Sequence, residues 1–330
     1  MIKRLFDDFT KLRVMVVGDV MVDAYLWGKV ERISPEAPIP VVALKSRENR
    51  MGGAANVALN LRSLGATPVL CTVIGDDEKG RQFAELCQTA GIDTSGIIVS
   101  HQRRTTTKFR IFGNTYQMLR VDEEDDFQLS STDQNGLLKS IKKIFSQTTI
   151  DCVIFQDYDK GVITPGIISQ VVELANKKGI PVTVDPKKRN FREYRNVTLF
   201  KPNLKELREG LNMGHDLAST QEVIEAVRTL RSLLSCQSVM TTMSEKGVLI
   251  SYDKGNEDVN TLIPAHLRTI ADVSGAGDTV ISVASLLLAL GRPYEEVAWF
   301  ANLAGGLVCE EVGVVPVNPE KLLNEALQLL

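Results

Sequence analysis

Short apolar runs rich in β-branched residues alternate with amphipathic segments from one end of the 330-residue chain to the other. Period-two or continuous apolar runs predict strands over residues 14–17, 67–73, 152–155, 181–184, 198–200, 238–242 and 247–251. A 3.6-residue apolar period predicts helices over 54–64, 78–90, 132–145, 165–178, 220–234, 278–290, 295–310 and 319–329. Strands that alternate with helices predict an α/β fold, a mostly parallel sheet with helices on both faces. Ligands of such sheets gather at the carboxyl ends of the strands.

Two segments depart from this rhythm. Residues 25–44 and 104–122 hold strand-like runs with no helix between them, and the first carries Pro35, Pro38 and Pro40, which suit an edge strand or a bent loop. The second predicts a hairpin around Gly113-Asn114, from Thr105–Phe112 into the run that starts at Thr115. Together they predict a small sheet beside the main domain, acting as a lid or as a contact between two copies. No repeat, low-complexity tract or linker interrupts the chain.

Composition narrows the class without naming a function. With 44% hydrophobic residues and a formal net charge of -3, the chain has ample core material and no basic excess for nucleic acid or an anionic membrane. Cys71, Cys87, Cys152, Cys236 and Cys309 are scattered and form no C-x-x-C pair, so a reduced, cytoplasmic setting is expected. His101, His215 and His266 have no metal-ligand spacing. The apolar run from Val280 to Leu290 is short of the ~20 residues a bilayer needs.

The most informative stretch is Asp272-Val-Ser-Gly-Ala-Gly-Asp-Thr279. Two glycines separated by one alanine at a helix start leave bare N–H groups at a positive dipole end, a place for phosphate oxygens. Asp278 would repel a bound phosphate unless it takes a proton from an attacking hydroxyl. A plain glycine turn with an acid in the first helical turn accounts for the same residues.

Other motifs are weaker alone. Gly52-Gly53-Ala-Ala-Asn56 opens a helix and could bring bare backbone and an amide to a polyol. Gly18-Asp19 and Asp23 follow the first strand, where carboxylates suit sugar hydroxyls or simply solvent. Asn203 and Glu206 have capping-box spacing, and the same pair near phosphates could order Mg²⁺ through water. Gly75-x₄-Gly80 lacks the Lys-Ser/Thr of a Walker A loop.

Taken in order, Gly52-Gly53 with Asn56, Asn203-x-x-Glu206 and Asp272-x-x-Gly-Ala-Gly-Asp278 resemble the ribokinase-like (PfkB) sugar kinases. Within that family, several stretches are similar to D-glycero-D-manno-heptose 7-phosphate kinases, the kinase half of bifunctional ADP-heptose synthesis enzymes. They are Ile33-Ser-Pro-Glu-Ala-Pro38, Gln117-x-x-Arg-x-Asp122, Asp157-Tyr-x-Lys-Gly161 and Asp185-Pro-Lys187. Ala24 and Gln156 depart from the family pattern, which has a larger residue and often a Ser there. The resemblance implies a ribokinase-like kinase domain over 1–330 with a protruding β lid. It also implies no nucleotidyltransferase domain, a separate nucleotidyltransferase acting later in the pathway, and a homodimer.

The resemblance further implies roles. Asp278 would be the base on the sugar 1-OH, and the N–H groups of Gly275, Ala276 and Gly277 the anion hole. Asp19, Asp23, Gly53, Asn56 and Asp157 would hold the sugar, and Lys108, Arg110, Arg120, Lys160 and Lys187 its phosphate, with the two arginines preferred. ATP would lie against Asn203, Glu206, Thr242, Ser244, Gly247 and Asn302. Asn203 and Glu206 would arrange Mg²⁺, and a monovalent cation such as K⁺ is common in the family. A kinase for fructose 6-phosphate or ribose and a non-catalytic sugar-phosphate sensor are the competing expectations.

Overall fold

The computed structural model describes residues 2–114, 116–217, 219–255, 257–266 and 268–329. Helix α1 (Ile2–Phe9) leads into β1 (Arg13–Gly18), then the long strands β2 (Val20–Ile33) and β3 (Pro40–Gly53). Next come α2 (Ala54–Ser63), β4 (Thr67–Gly75), α3 (Glu78–Thr89), β5 (Asp93–Ser100), β6 (Thr107–Gly113) and β7 (Tyr116–Glu123). The middle holds α4 (Ser131–Gln147), β8 (Cys152–Gln156), α5 (Pro165–Lys177), β9 (Val182–Asp185), β10 (Leu199–Phe200) and α6 (Leu204–Gly210). The last part holds α7 (Thr220–Leu234), β11 (Ser238–Thr242), β12 (Val248–Lys254), β13 (Glu257–Ile263), α8 (Ala276–Ala289), α9 (Tyr294–Val308) and α10 (Pro319–Leu329).

The strands form a nine-stranded sheet in the order β13-β12-β11-β10-β9-β8-β1-β4-β5 and a four-stranded sheet in the order β3-β2-β6-β7. The large sheet is parallel except for its antiparallel end, β11-β12-β13. Alternation along β1 explains the layers. Val14 and Val16 enter a core with α2, α8 and α9, while Met15 and Val17 enter a second core with α4, α5 and α7. Each such fully buried side chain contributes roughly 1.5–3 kcal/mol of transfer free energy. No helix among the described residues is long and apolar enough to cross a membrane.

Strand order reverses at β1, which lies between β8 and β4, so the crevice at the β1/β8 carboxyl ends is the natural ligand edge. Gly18 pairs in register with Gln156, and Gln156 with Asp185. Lys201 comes one residue after the Phe200–Val184 pair. The row Val16–Ile154–Thr183–Leu199 is thus followed at the strand ends by Gly18 and by three adjacent polar residues, Gln156, Asp185 and Lys201. It lies on the face that α2 and α8 cover, which places it beneath the start of α8.

The small sheet corrects the expected limits of the lid. Segment 25–44 is part of two 14-residue strands that begin at Val20 and end at Gly53, so Asp23 and Gly52-Gly53 lie within strands rather than loops. Pro40 opens β3, an edge strand, where its missing N–H breaks no ladder. The hairpin forms as expected, with Asn114 at φ 61°; Thr115 lies outside the described residues. Three elements had no sequence prediction. β5 and β13 are sheet edges with polar or mixed patterns (Asp-Thr-Ser-Gly and Glu-Asp-Val-Asn), and α1 spans only about two turns.

Gly18 is required by close approach: an added Cβ would sit 2.1 Å from the Gln156 carbonyl oxygen and 3.1 Å from Ala54 Cβ. Gly18→Ala should therefore wedge β1 from β8 and lower stability by ~2 kcal/mol or more. The expected sign is a lower urea midpoint at unchanged m-value, and an unchanged midpoint would contradict the packing described.

Candidate active site

The start of α8 is built for an anion. Gly275 caps it at φ 82°, and a Cβ there would meet Asn56 Nδ2 at 3.0 Å, so both conformation and space call for glycine. The N–H groups of Gly275 and Gly277 have no hydrogen-bond partner among the described residues, whereas the Ala276 N–H donates to Val273 O at 3.3 Å. This corrects the expected three-amide hole: Ala276 turns its N–H back into the preceding loop, and the two glycines remain.

Asp278 lies in the first turn and is 3% exposed. Its Oδ2 accepts from Asn56 Nδ2 (2.7 Å), and its Oδ1 from Gln156 Nε2 (3.0 Å) and the Tyr158 hydroxyl (2.8 Å). Burial pushes its pKa up to about 6; Asp185 adds to the rise, while Asn56, Tyr158 and Lys201 oppose it. The result is a carboxylate ionised at neutral pH yet more basic than usual, which suits a proton acceptor.

Four neighbours of this group were not singled out as site residues: Gln156, Tyr158, Asp185 and Lys201. Lys201 is 3% exposed and pairs with Asp185 at 3.0 Å. A Cβ on Gly277 would lie 3.5 Å from Asp185 Oδ2 and 3.6 Å from Lys201 Nζ, so this pair adjoins the glycine turn. A single polar residue at the end of each apolar run was the available signal. It could be used only once the parallel register put those ends side by side.

The residues expected to contact a sugar already have protein partners. Asp19 is buried and accepts from the N–H groups of Tyr158 (2.8 Å), Lys160 (3.2 Å) and Val162 (3.0 Å), so it ties the loop after β8 to β1. Asp157 is buried beneath the Tyr194 hydroxyl (2.7 Å), Asn190 Nδ2 (3.0 Å) and the Asp159 N–H (2.9 Å). Burial, reinforced by Asp157, raises Asp19 to about 6. Both carboxylates are almost fully buried and already held by these protein donors. Asn56 is fully buried with its amide committed to Asp278. Gly53, at φ 64°, lies against the Asp19 carbonyl oxygen, and Gly52 against the Asp23 carboxylate.

The lid cations are also partnered. Arg110 pairs with buried Asp23, Arg120 with Asp122 (2.9 Å), Lys160 with Glu124 (2.7 Å), and Lys187 with Glu206. Lys108 is half-buried, which lowers its pKa against the pull of Asp122 and Glu124, and Lys160 and Arg120 are the cations beside it. Arg110 and Arg120, the preferred pair, are cross-strand register partners on the lid face that also carries Lys108. Arg110 supports Asp23 and packs on the Tyr25 ring at 5.4 Å, while Arg120 belongs with Lys108 and Lys160.

On the opposite side, Asn203 and Glu206 form the full capping box of α6. Asn203 bridges to Thr242, Ser244 opens a short 3₁₀ turn, and Gly247 (φ 92°) would place a Cβ 2.0 Å from Ile263 O. Asn302 donates to Pro264 O (2.9 Å) and so fixes the loop that leads toward Asp272. No group of three or more His, Cys, Asp and Glu among the described residues could cage a metal. Glu206 is a largely covered carboxylate, its side chain 11% exposed, with its oxygens turned to Lys187 and the Asn203 N–H. That donor set fits Mg²⁺ held chiefly by nucleotide and water.

Residues 11–321 match the pfkB family of carbohydrate kinases. The chain belongs to that family. Two similar relatives are both named bifunctional protein HldE. That of Methylobacillus flagellatus is 40% identical over 313 residues, 94% of this chain and 62% of the relative. That of Citrifermentans bemidjiense is 36% identical over 324 residues, 98% of this chain and 65% of the relative. The chain thus spans less than two-thirds of either. Phosphofructokinase-2 from Escherichia coli, solved in complex with potassium, has the same fold with a TM-score of 0.75 at 18% identity, covering 95% of this chain and 98% of that one. The fold is ribokinase-like, and the family is one of carbohydrate kinases.

The raised Asp278 pKa has a stability sign. Folding favours the protonated acid, so this contribution is present below the unfolded value of 3.8 and is lost as pH rises through about 6. Asp278→Asn removes the buried charge, and Asn56 Oδ1, which has no partner, can turn to accept from the new amide. The variant should be more stable than the parent at pH 8 by ~1–3 kcal/mol, with the gain fading toward pH ~4. Urea melts at both pH values test this; a gain equal at the two would show that buried charge is not the cause.

Proposed function

We propose that this pfkB-family kinase transfers the γ-phosphoryl group of ATP to O1 of D-glycero-D-manno-heptose 7-phosphate, giving the 1,7-bisphosphate used for ADP-heptose and lipopolysaccharide core synthesis. One observation carries the proposal. A buried, weakly acidic carboxylate stands at a helix start with two open glycine amides, and a separate lid cluster of Lys108, Arg120 and Lys160 suits a substrate that already bears a phosphate. The similarity to HldE proteins supports the heptose over other sugars.

In the proposed reaction Asp278 accepts the O1 proton as the O1–Pγ bond forms and the bond from Pγ to the bridging oxygen of ADP breaks. The Gly275 and Gly277 amides hold the transferring phosphoryl oxygens, and Lys201 lies beside them as fixed positive charge. Mg²⁺, arranged near Asn203 and Glu206, neutralises phosphate charge when bound. A monovalent cation near the Asp272 turn is part of the same proposal.

The protein is further proposed to be a homodimer through its small sheet. Ala24 and Leu26, Phe109 and Ile111, and Val121 and Leu119 stand in cross-strand register on one face, with Leu119 55% and Val121 42% exposed. Exposed apolar positions on a sheet with two open edges suit a second copy. Leu119→Asp with Val121→Asp should yield a monomer by sedimentation; an unchanged mass would remove this face as the interface.

ATP turnover measured with heptose 7-phosphate, fructose 6-phosphate and ribose tests the substrate. Turnover should be confined to the heptose phosphate and fall by ~10²–10⁴ in Asp278→Asn. Lys108→Ala should raise the sugar-phosphate KM by ~10-fold or more while leaving that for ATP nearly unchanged. Equal turnover of fructose 6-phosphate would replace the heptose assignment.

A further inference from the structure

The three donors on Asp278 are not equivalent. Asn56 and Gln156 are buried amides, held by packing between α2, α8 and the sheet. Tyr158 is only partly buried and belongs to the loop after β8, where the Asp19 carboxylate holds its backbone N–H at 2.8 Å. Its hydroxyl is the second donor to Oδ1. A carboxylate oxygen has two in-plane acceptor positions. Oδ1 therefore has both filled, by Gln156 and Tyr158, and Oδ2 has one filled, by Asn56, and one open.

We propose that Tyr158 is a positioning residue: by completing the shell of Oδ1 it fixes the plane of the Asp278 carboxylate and leaves Oδ2 as the oxygen that receives the substrate proton. The proposal rests on Asp278 being the base. When the proton arrives at Oδ2, Oδ1 becomes carbonyl-like and keeps both donors, so no hydrogen bond has to break during the step. Burial and the neighbouring Asp278 hold the phenol well above its ordinary pKa, so it stays a donor and does not relay the proton. The charged groups facing this pair are Asp185 at the end of β9, Lys201 after β10, and Lys187, whose ammonium lies 5.7 Å from the centre of the Tyr158 ring. From α2 only the uncharged Asn56 faces it.

The test is the pH dependence of kcat for the full chain, compared with Tyr158→Phe, with 3-fluorotyrosine at the same position, and with Asp278→Asn. Losing the phenol donor makes Asp278 more basic. The acid limb of Tyr158→Phe should move up by about 0.5–1 pH unit, with kcat reduced ~1.5–3-fold near pH 6.5, recovering toward pH 8, and both KM values nearly unchanged. The fluorinated ring, a stronger donor, should move the limb the other way. An unmoved limb in both, or a change confined to KM, overturns the proposal; if the Phe variant does not fold, the fluorinated protein decides alone. Activity retained in Asp278→Asn would instead refute the base assignment on which the proposal rests. An inactive Asp278→Asn beside an unmoved limb refutes the Tyr158 role only.

Discussion

Everything at the ligand edge is arranged around one buried negative charge, the Asp278 carboxylate. An unpaired carboxylate in such a place would carry a desolvation penalty of several kcal/mol and would simply protonate. Here the donors that hold it ionised come from Asn56 on α2 and from Gln156 and Tyr158 at the end of β8, 222, 122 and 120 residues away in sequence. They can meet only because α2 and α8 pack on the same face of the sheet that carries Gln156. The pKa of about 6 is the balance of that arrangement: burial raises it, and the donors and Lys201 hold it down.

A second layer of buried acids supports the first. Asp19 accepts from three alternate amides of the loop after β8 and thereby sets where Tyr158 stands, and Asp157 is held by Tyr194 and Asn190 from the segment after β9. Placing two carboxylates this close raises the proton affinity of Asp19 as well. The site is therefore stabilised by hydrogen bonds to backbone and costs stability through its charges. That is the usual relation between a rigid scaffold and a preorganised site.

The small sheet meets this site from the other direction. Tyr25 is flanked by Arg50 and Arg110, and a Cβ on Gly313 would lie 3.5 Å from its hydroxyl. The Gly313 N–H in turn donates to Asp272 (3.0 Å), whose other oxygen accepts from the Ser274 N–H (2.9 Å) just before the glycine turn. The lid and the anion-binding turn are thus linked by short, fixed contacts.

Local pattern alone determined the order and type of most elements, because a parallel sheet buried on both faces needs continuous apolar strands and amphipathic helices at their own periods. The glycine turn and Asp278 were legible for the same reason: two glycines before an acid at a helix start have few uses. Edge strands β5 and β13 were not, since an edge is covered on one side only and tolerates polar residues. The roles of Asp19, Asp157 and Asn56 were decided by the tertiary structure, which buried them against backbone amides and against Asp278 instead of facing them to solvent. The same holds for Lys201, Asp185, Gln156 and Tyr158. Sequence pattern gave none of them a site role, and only the lateral register of β8, β9 and β10 beneath one helix start, with the loop after β8, turns them into a single electrostatic unit.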